Sequence, residues 1–237
     1  MADLWSLAAS GIQIQERKGG TCEANNGFCP DWIADNFDRY VDPFFQHVFL
    51  TVVSVSIGFV IAFSLALLAH RKRFLLPPLS ASAQILYAIP SVALFLLLLP
   101  ITGRGTVTGL VALVSYTLIF IFVNVTTGLE NVPKESVDAA RGMGLTERQL
   151  LWRVEVPLAL PEIFAGLRIA TTTTVGLAAL AFFAGAGGLG EEINADKGFQ
   201  SNVAVAGALA IGLALVLDLI ILVFQRLMTP WRRAAAS

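Results

Sequence analysis

ENVPKESVDAARGMGLTERQLLWRVEVPLALP, residues 130–161, is the longest polar segment lying between two apolar blocks, and its reading decides how the rest of the chain is organised. It is too polar to cross a bilayer and too regular to be a plain linker. Pro133 suits a first helical turn, and Glu135 follows near the positive end of the helix dipole. A short helix is predicted through Asp138-Ala139-Ala140-Arg141, stopping near Gly142–Gly144. Thr146-Glu147-Arg148-Gln149 then fits a capping box, with Thr146 capping the next helix and Gln149 reaching back. That second helix presents Leu150, Leu151 and Val154, and Pro157 is expected to end it. The result is a helical hairpin. The small pair Ala139-Ala140 would let another protein approach closely, with Arg141, Glu147 and Arg148 as polar contacts around the rim. The plain alternative is a surface hairpin with no special role.

The chain on either side is lipid-like in composition. Of its 237 residues, 56% are hydrophobic and 14% charged, and the mean hydropathy is +0.72. Soluble domains carry about a quarter charged residues, so this is membrane composition. A net charge of -1 argues against nucleic acid as a partner. The apolar residues fall in five blocks, about 44–69, 79–100, 106–126, 158–185 and 203–225. Each approaches the roughly 20 residues needed to cross a hydrocarbon core. None alternates as barrel strands would, which leaves helices as the way to satisfy these backbones in lipid.

Lys and Arg set the expected orientation. Arg71, Lys72, Arg73, Lys134, Arg141, Arg148, Arg153, Arg226, Arg232 and Arg233 place ten basic residues on one side. Arg17, Lys18, Arg39, Arg104 and Lys197 place five on the other. The richer side is expected to be cytoplasmic, with the N-terminus outside and the tail WRRAAAS inside. The opening MADLWSLAASGIQIQERKGG lacks the basic start and long apolar run of a signal peptide. An interfacial helix and an exposed tail are both compatible with it. Cys22 and Cys29 fall on the expected outside, where a disulfide is permitted and the Asn-Gly between them can turn the chain. A Cys22–Cys29 bridge is favoured over two free thiols. His47 and His70 stand at opposite ends of one block, which speaks against a metal site.

At this point the hairpin resembles the transmembrane subunits of ATP-binding-cassette importers, the binding-protein-dependent permeases. Their hallmark is Glu-Ala-Ala, three residues, Gly, nine residues, Ile-x-Leu-Pro. Here Asp138-Ala139-Ala140, Gly144 and Val154-Glu155-Val156-Pro157 keep every spacing, with Asp for Glu, Val for Ile and Val for Leu. The resemblance implies a coupling helix that docks on an ATPase subunit. It runs from about residue 48 to 231. IPSVALFLLLLPITGRG and AFFAGAGGLG look like the branch that imports glycine betaine, carnitine and choline, with proline a further solute of that kind. Methionine-importer permeases share the hairpin and a similar Gly-rich ending, so that substrate stays open as the alternative. The first 43 residues lie outside the resemblance.

Other features bear on this reading. Gly185-Ala186-Gly187-Gly188-Leu189-Gly190 spells a dinucleotide fingerprint but follows an apolar block rather than a strand, so nucleotide binding is rejected. Gly187 and Gly188 are read instead as close-packing or hinge positions at an outer gate. No phosphate-binding loop of the G-x-x-x-x-G-K-[ST] type occurs, so ATP and its Mg²⁺ are expected on partner subunits and no cofactor on this chain. Arg168 and Asp218 fall inside the fourth and fifth blocks at depths differing by about 4–5 Å. Intramembrane charges are costly, which suggests an ion pair, with separate backbone or water partners as the alternative. Pro90 should kink or unwind the second block. Tyr87, Tyr116, Phe182 and Phe183 could line a path near it, since aromatic faces attract quaternary ammonium groups. For any one of them, ordinary packing is the simpler reading.

The expectation is thus an all-α polytopic membrane protein of about five spans with a cytoplasmic coupling helix. An extracytoplasmic segment 1–43 precedes a permease domain 44–226, whose coupling loop is 130–157, and a tail 227–237 follows. It would act as a non-enzymatic permease subunit in the inner membrane. The implied partners are two ATP-binding subunits, a second permease copy or paralogue, an extracytoplasmic substrate-binding protein and the lipid bilayer. A secondary transporter should show inverted repeats and more helices, and a membrane scaffold would have no use for the hairpin motif.

Overall fold

The computed structural model of the chain describes Cys22 and residues 27–230; residues 1–21 and 23–26 and the tail from Trp231 lie outside the described part. Ten α-helices run through the described residues. They are α1 (Pro30–Asp35), α2 (Val41–Arg71), α3 (Leu76–Ala88), α4 (Ser91–Thr102) and α5 (Thr106–Glu130). Then come α6 (Lys134–Gly142), α7 (Glu147–Leu150), α8 (Val156–Ala178), α9 (Leu189–Ala195) and α10 (Gln200–Met228). No strand occurs among the described residues.

Helices α2, α5 and α10 are long and apolar enough to cross a membrane. With its 23 residues α8 is also long enough, about 34 Å at 1.5 Å per residue, but Glu162, Arg168 and Thr171–Thr174 make it more polar. It ends at Ala178, short of the expected 185, because a 3-10 turn at Ala181–Ala184 and the left-handed Gly185 take over the chain. The block expected at 79–100 departs furthest from a single span. Its halves α3 and α4 are bent 98° apart across Ile89–Pro90. Both residues are extended, with ψ of 128° and 132°. Pro90 offers no N–H and biases Ile89 away from helical geometry, so the expected kink becomes a complete break.

Small residues set how the bundle packs. Ser54, Gly58, Ala62 and Ala66 recur every fourth position of α2 and are all buried. They form a flat stripe on which α5 lies with its backbone close, as membrane helices do when bulky side chains are absent. At the tightest point a Cβ on Gly58 would overlap the Thr117 hydroxyl. Two cores result. One, nearer the hairpin, joins Ala62 and Ala66 to Ile121, Val125, Leu151 and Ile163. The other, at the opposite end, joins Leu50 to Phe95, Leu113, Tyr116 and Ala181. α10 leans mainly on α8 and leaves Ile211, Leu215, Leu219 and Val223 exposed.

The first described residues form a clasp over the end opposite the hairpin. Cys22 and Cys29 are joined by a disulfide. The Cys29 N–H donates to the Ser201 hydroxyl at 2.8 Å, and that hydroxyl donates to the Gly27 carbonyl at 3.0 Å. Tyr40 donates to Asn202 at 2.7 Å, Arg39 pairs with Glu192 at 2.8 Å, and Trp32 meets Phe199 edge-on. The segment from Gly27 to Tyr40 is thus tied to α9 and to the start of α10.

Gly58→Ala is expected to destabilise the protein by about 1–3 kcal/mol, because the new methyl forces α2 and α5 apart. Thermal unfolding in detergent checks this, and Thr117→Gly in the same background should recover part of the loss.

Candidate functional site

The hairpin is built almost entirely by its own chain. The extended Pro133 opens α6, and Glu135 sits in its first turn. At the far end the N–H groups of Met143, Gly144 and Leu145 bond back to the carbonyls of Ala139, Arg141 and Ala140. This closure needs the left-handed conformation of Gly144, whose φ is +81°. Thr146 and Gln149 then form the capping box: the Thr146 N–H donates to the Gln149 side chain, and the Gln149 N–H to the Thr146 hydroxyl.

Helix α7 does not stop at Pro157. A π-helical turn, Leu151–Glu155, leads directly into α8, and Pro157 occupies the first turn of α8, where an N–H is not required. The π turn passes into Val156 with helical backbone at both ends, so Pro157 does not stop the helix. Hairpin and membrane helix are therefore one continuous rod. Leu150 and Leu151 point into the core of the chain itself rather than toward a partner, and Val154 is half-buried.

Of the small pair, Ala140 is buried and only Ala139 is open, beside Asp138. Arg141 donates to the Glu147 carboxylate across the turn at 3.2 and 3.4 Å, and these hydrogen bonds push the guanidinium pKa further up. Arg148 remains exposed. Met143 projects from the tip with 74% of its surface open. It is absent from the sequence-based candidates, and the available signal was a long apolar side chain between two glycines in a polar turn. Beneath the hairpin lies a groove of about 840 Å³, lined by Asp138, Arg148, Glu155, His70, Arg73 and Glu130 among others. His70 and Glu155 meet across it at 3.2 Å, joining the end of α2 to the π turn.

Deeper in the bundle, the aromatic candidates fall into two groups. Tyr87 and Tyr116 meet edge to face at 6.0 Å beside the Ile89–Pro90 break. Tyr87 is 46% exposed, whereas Tyr116 is 3% exposed and its hydroxyl donates to the Ile89 carbonyl at 2.6 Å. Phe182 and Phe183 stack on each other at 4.2 Å, separate from the tyrosines. Arg168 clasps Asp218 through two hydrogen bonds of 2.7 Å each, linking the middle of α8 to α10.

The glycine-rich loop is held by residues outside the sequence-based candidates. Buried His47 contacts the Val175 carbonyl through Nε2 at 3.0 Å, while Nδ1 accepts the Leu189 N–H at 3.3 Å. The ring therefore carries its proton on Nε2. Gln46 donates to the Ala186 carbonyl at 2.9 Å. Gly187 and Gly188 have φ of +78° and +91°, and a Cβ on Gly188 would press on the imidazole at 3.2 Å. A Cβ on Gly190 would overlap the Ala179 carbonyl. These glycines serve a tight turn and close packing, and the loop lacks the preceding strand that a nucleotide fingerprint needs.

The sequence matches the family described as binding-protein-dependent transport system inner membrane component over residues 45–234. It is 36% identical over 206 residues to the osmoprotectant import permease protein OsmW of Salmonella typhimurium, covering 84% of this chain and 96% of that protein. It is 32% identical over 187 residues to the glycine betaine/carnitine/choline transport system permease protein OpuCB of Bacillus subtilis, covering 78% and 86%. Its fold resembles a chain of the inward-facing MetNI methionine ABC transporter, with a TM-score of 0.68 and 26% identity over 81% of this chain and 94% of that one.

In a double-mutant cycle, Arg168→Ala and Asp218→Ala should each lower the thermal midpoint in detergent. The double variant should fall no further than the worse single one, a coupling of about 0.5–3 kcal/mol. Strictly additive losses would show that the two charges act independently.

Proposed function

This chain belongs to the family of inner-membrane components of binding-protein-dependent transport systems, and from that premise we propose how its hairpin works and what it carries. It is the transmembrane subunit of an ATP-driven importer whose solutes are small osmoprotectants of the glycine betaine, choline and carnitine class. The observation that carries this reading is the hairpin: a capped helix with open Asp138, Ala139 and Met143, mounted rigidly on two membrane helices.

The power comes from elsewhere. Two ATP-binding subunits, holding Mg²⁺ and ATP, would grip the hairpins of two permeases, this chain and a second copy or a paralogue. Asp138, Ala139, Gly144, Thr146, Glu147 and Arg148 form the contact face. Closure of the ATPases pushes α6, and because the π turn makes α7 and α8 one rod, the push is delivered to α5 and α8 together. The pore between the two permeases then opens outward to a loaded substrate-binding protein, and hydrolysis resets it. The excess of basic residues at the hairpin end supports a cytoplasmic hairpin, with the clasp and the glycine-rich loop outside.

The solute class rests on two supports. Identity is 36% to an osmoprotectant permease against 26% to a methionine transporter chain of similar fold. Tyr87 also offers an open aromatic face beside a break in the membrane helix, suited to a trimethylammonium group. Reconstitution with ATPase and binding-protein partners, followed by uptake of radiolabelled glycine betaine, choline, carnitine, proline and methionine, tests the assignment. Methionine uptake alone would replace it.

Gly144→Asp strains the left-handed turn, and Ala139→Arg blocks the open face. Both variants should reach the membrane in normal amount yet lose co-purification of the ATPase by at least about tenfold, as for a disrupted interface core. Stoichiometric ATPase retained on both variants would rule out the hairpin as the grip.

A further inference from the structure

The break between α3 and α4 leaves the Ile89 carbonyl outside any helix ladder. Its residue is extended, the next is a proline, and the first bond of α4 runs from Leu94 to Pro90 rather than to Ile89. The carbonyl is taken instead by Tyr116, from the middle of α5, at 2.6 Å. That side chain is almost completely buried, in the core that contains Phe95, Leu113 and Ala181. Its ring also contacts Tyr87, the last exposed aromatic before the break, and Phe120 on the same helix meets Tyr87 edge to face at 5.2 Å.

Helix α5 has a second attachment. Its last residue, Glu130, lies three positions before Pro133, the cap of α6. One rod therefore carries the hairpin at its end and the pinned elbow at its middle. We propose that Tyr116 is a positioning residue for transport: its hydroxyl locks the α3–α4 elbow to α5, so that movement of the hairpin swings the elbow and Tyr87 with it. Tyr116 then acts through the backbone of Ile89 and does not touch the solute. This deepens the importer reading and rests on it for the transport arm of the test only.

Tyr116→Phe keeps the ring and removes the bond. The first arm needs no partner. Spin labels at Ile85 on α3 and Ile101 on α4, which are 67% and 79% exposed, report the elbow in the full chain in nanodiscs. A single narrow distance distribution is expected with Tyr116 in place, and a broad one in the Tyr116→Phe variant. The second arm measures choline imported per ATP hydrolysed in proteoliposomes with the ATPase and loaded binding protein. The ratio should fall about fivefold, the equilibrium worth of one neutral hydrogen bond, with ATP hydrolysis maintained. A merely structural defect would lower import and hydrolysis together. Tyr40→Phe, which removes a tyrosine hydroxyl bond in the clasp, should leave the ratio unchanged. An unchanged distance distribution in Tyr116→Phe overturns the pin, as does an unchanged ratio. Wild-type vesicles that import no choline would count against the solute assignment, while the distance arm still decides the pin.

Discussion

Inside a bilayer, a backbone N–H or C=O that leaves the helix ladder has no water to turn to and costs several kcal/mol unless the protein supplies a partner. This chain leaves the ladder at several points, and side chains or altered helix geometry answer at each. Tyr116 takes the Ile89 carbonyl, His47 takes the Leu189 N–H, and Gln46 takes the Ala186 carbonyl. The π turn at Leu151–Glu155 passes a proline without breaking the rod. The small-residue face of α2, Ser54, Gly58, Ala62 and Ala66, answers a separate need, the close approach of α5.

The hairpin obeys a different constraint, since it must be rigid without a core of its own. Its rigidity comes from its ends. Gly144 closes α6 in the left-handed conformation, and the Thr146–Gln149 box opens α7. Leu150 and Leu151 bind it to the bundle, where His70 and Glu155 add a polar contact from α2. What stays open is a small contact face with Met143 at its tip, fitted to receive force and pass it on without bending.

Much of this is readable in the chain because it depends on neighbours in sequence. The capping box, the glycine stop and the family spacing are local, and five apolar blocks can be counted. Helix rise alone puts Arg168 and Asp218 at similar depths, and their side chains meet. Pro157 misleads because its effect depends on the helix geometry just before it, which a π turn alters. Pro90 marks the place of the elbow but not its 98° angle, and the contacts of His47 and Tyr116 are distant in sequence. One sequence gives no sign that a tyrosine on α5 will serve a carbonyl 27 positions earlier. The aromatic reading of Tyr116 rests on composition and does not foresee the hydrogen bond to Ile89.

The clasp has a consequence for biogenesis. The Cys29 N–H bonds to Ser201, 172 residues later, and Tyr40 bonds to Asn202, 162 residues later. Neither anchor exists until the final helix has left the ribosome and entered the bilayer. The segment around Cys29 and Tyr40 therefore lacks these two bonds until α10 is in place. A chain cut short before α10 would leave the Cys29 N–H and the Tyr40 hydroxyl without these partners, with Arg39 still able to pair with Glu192 on α9.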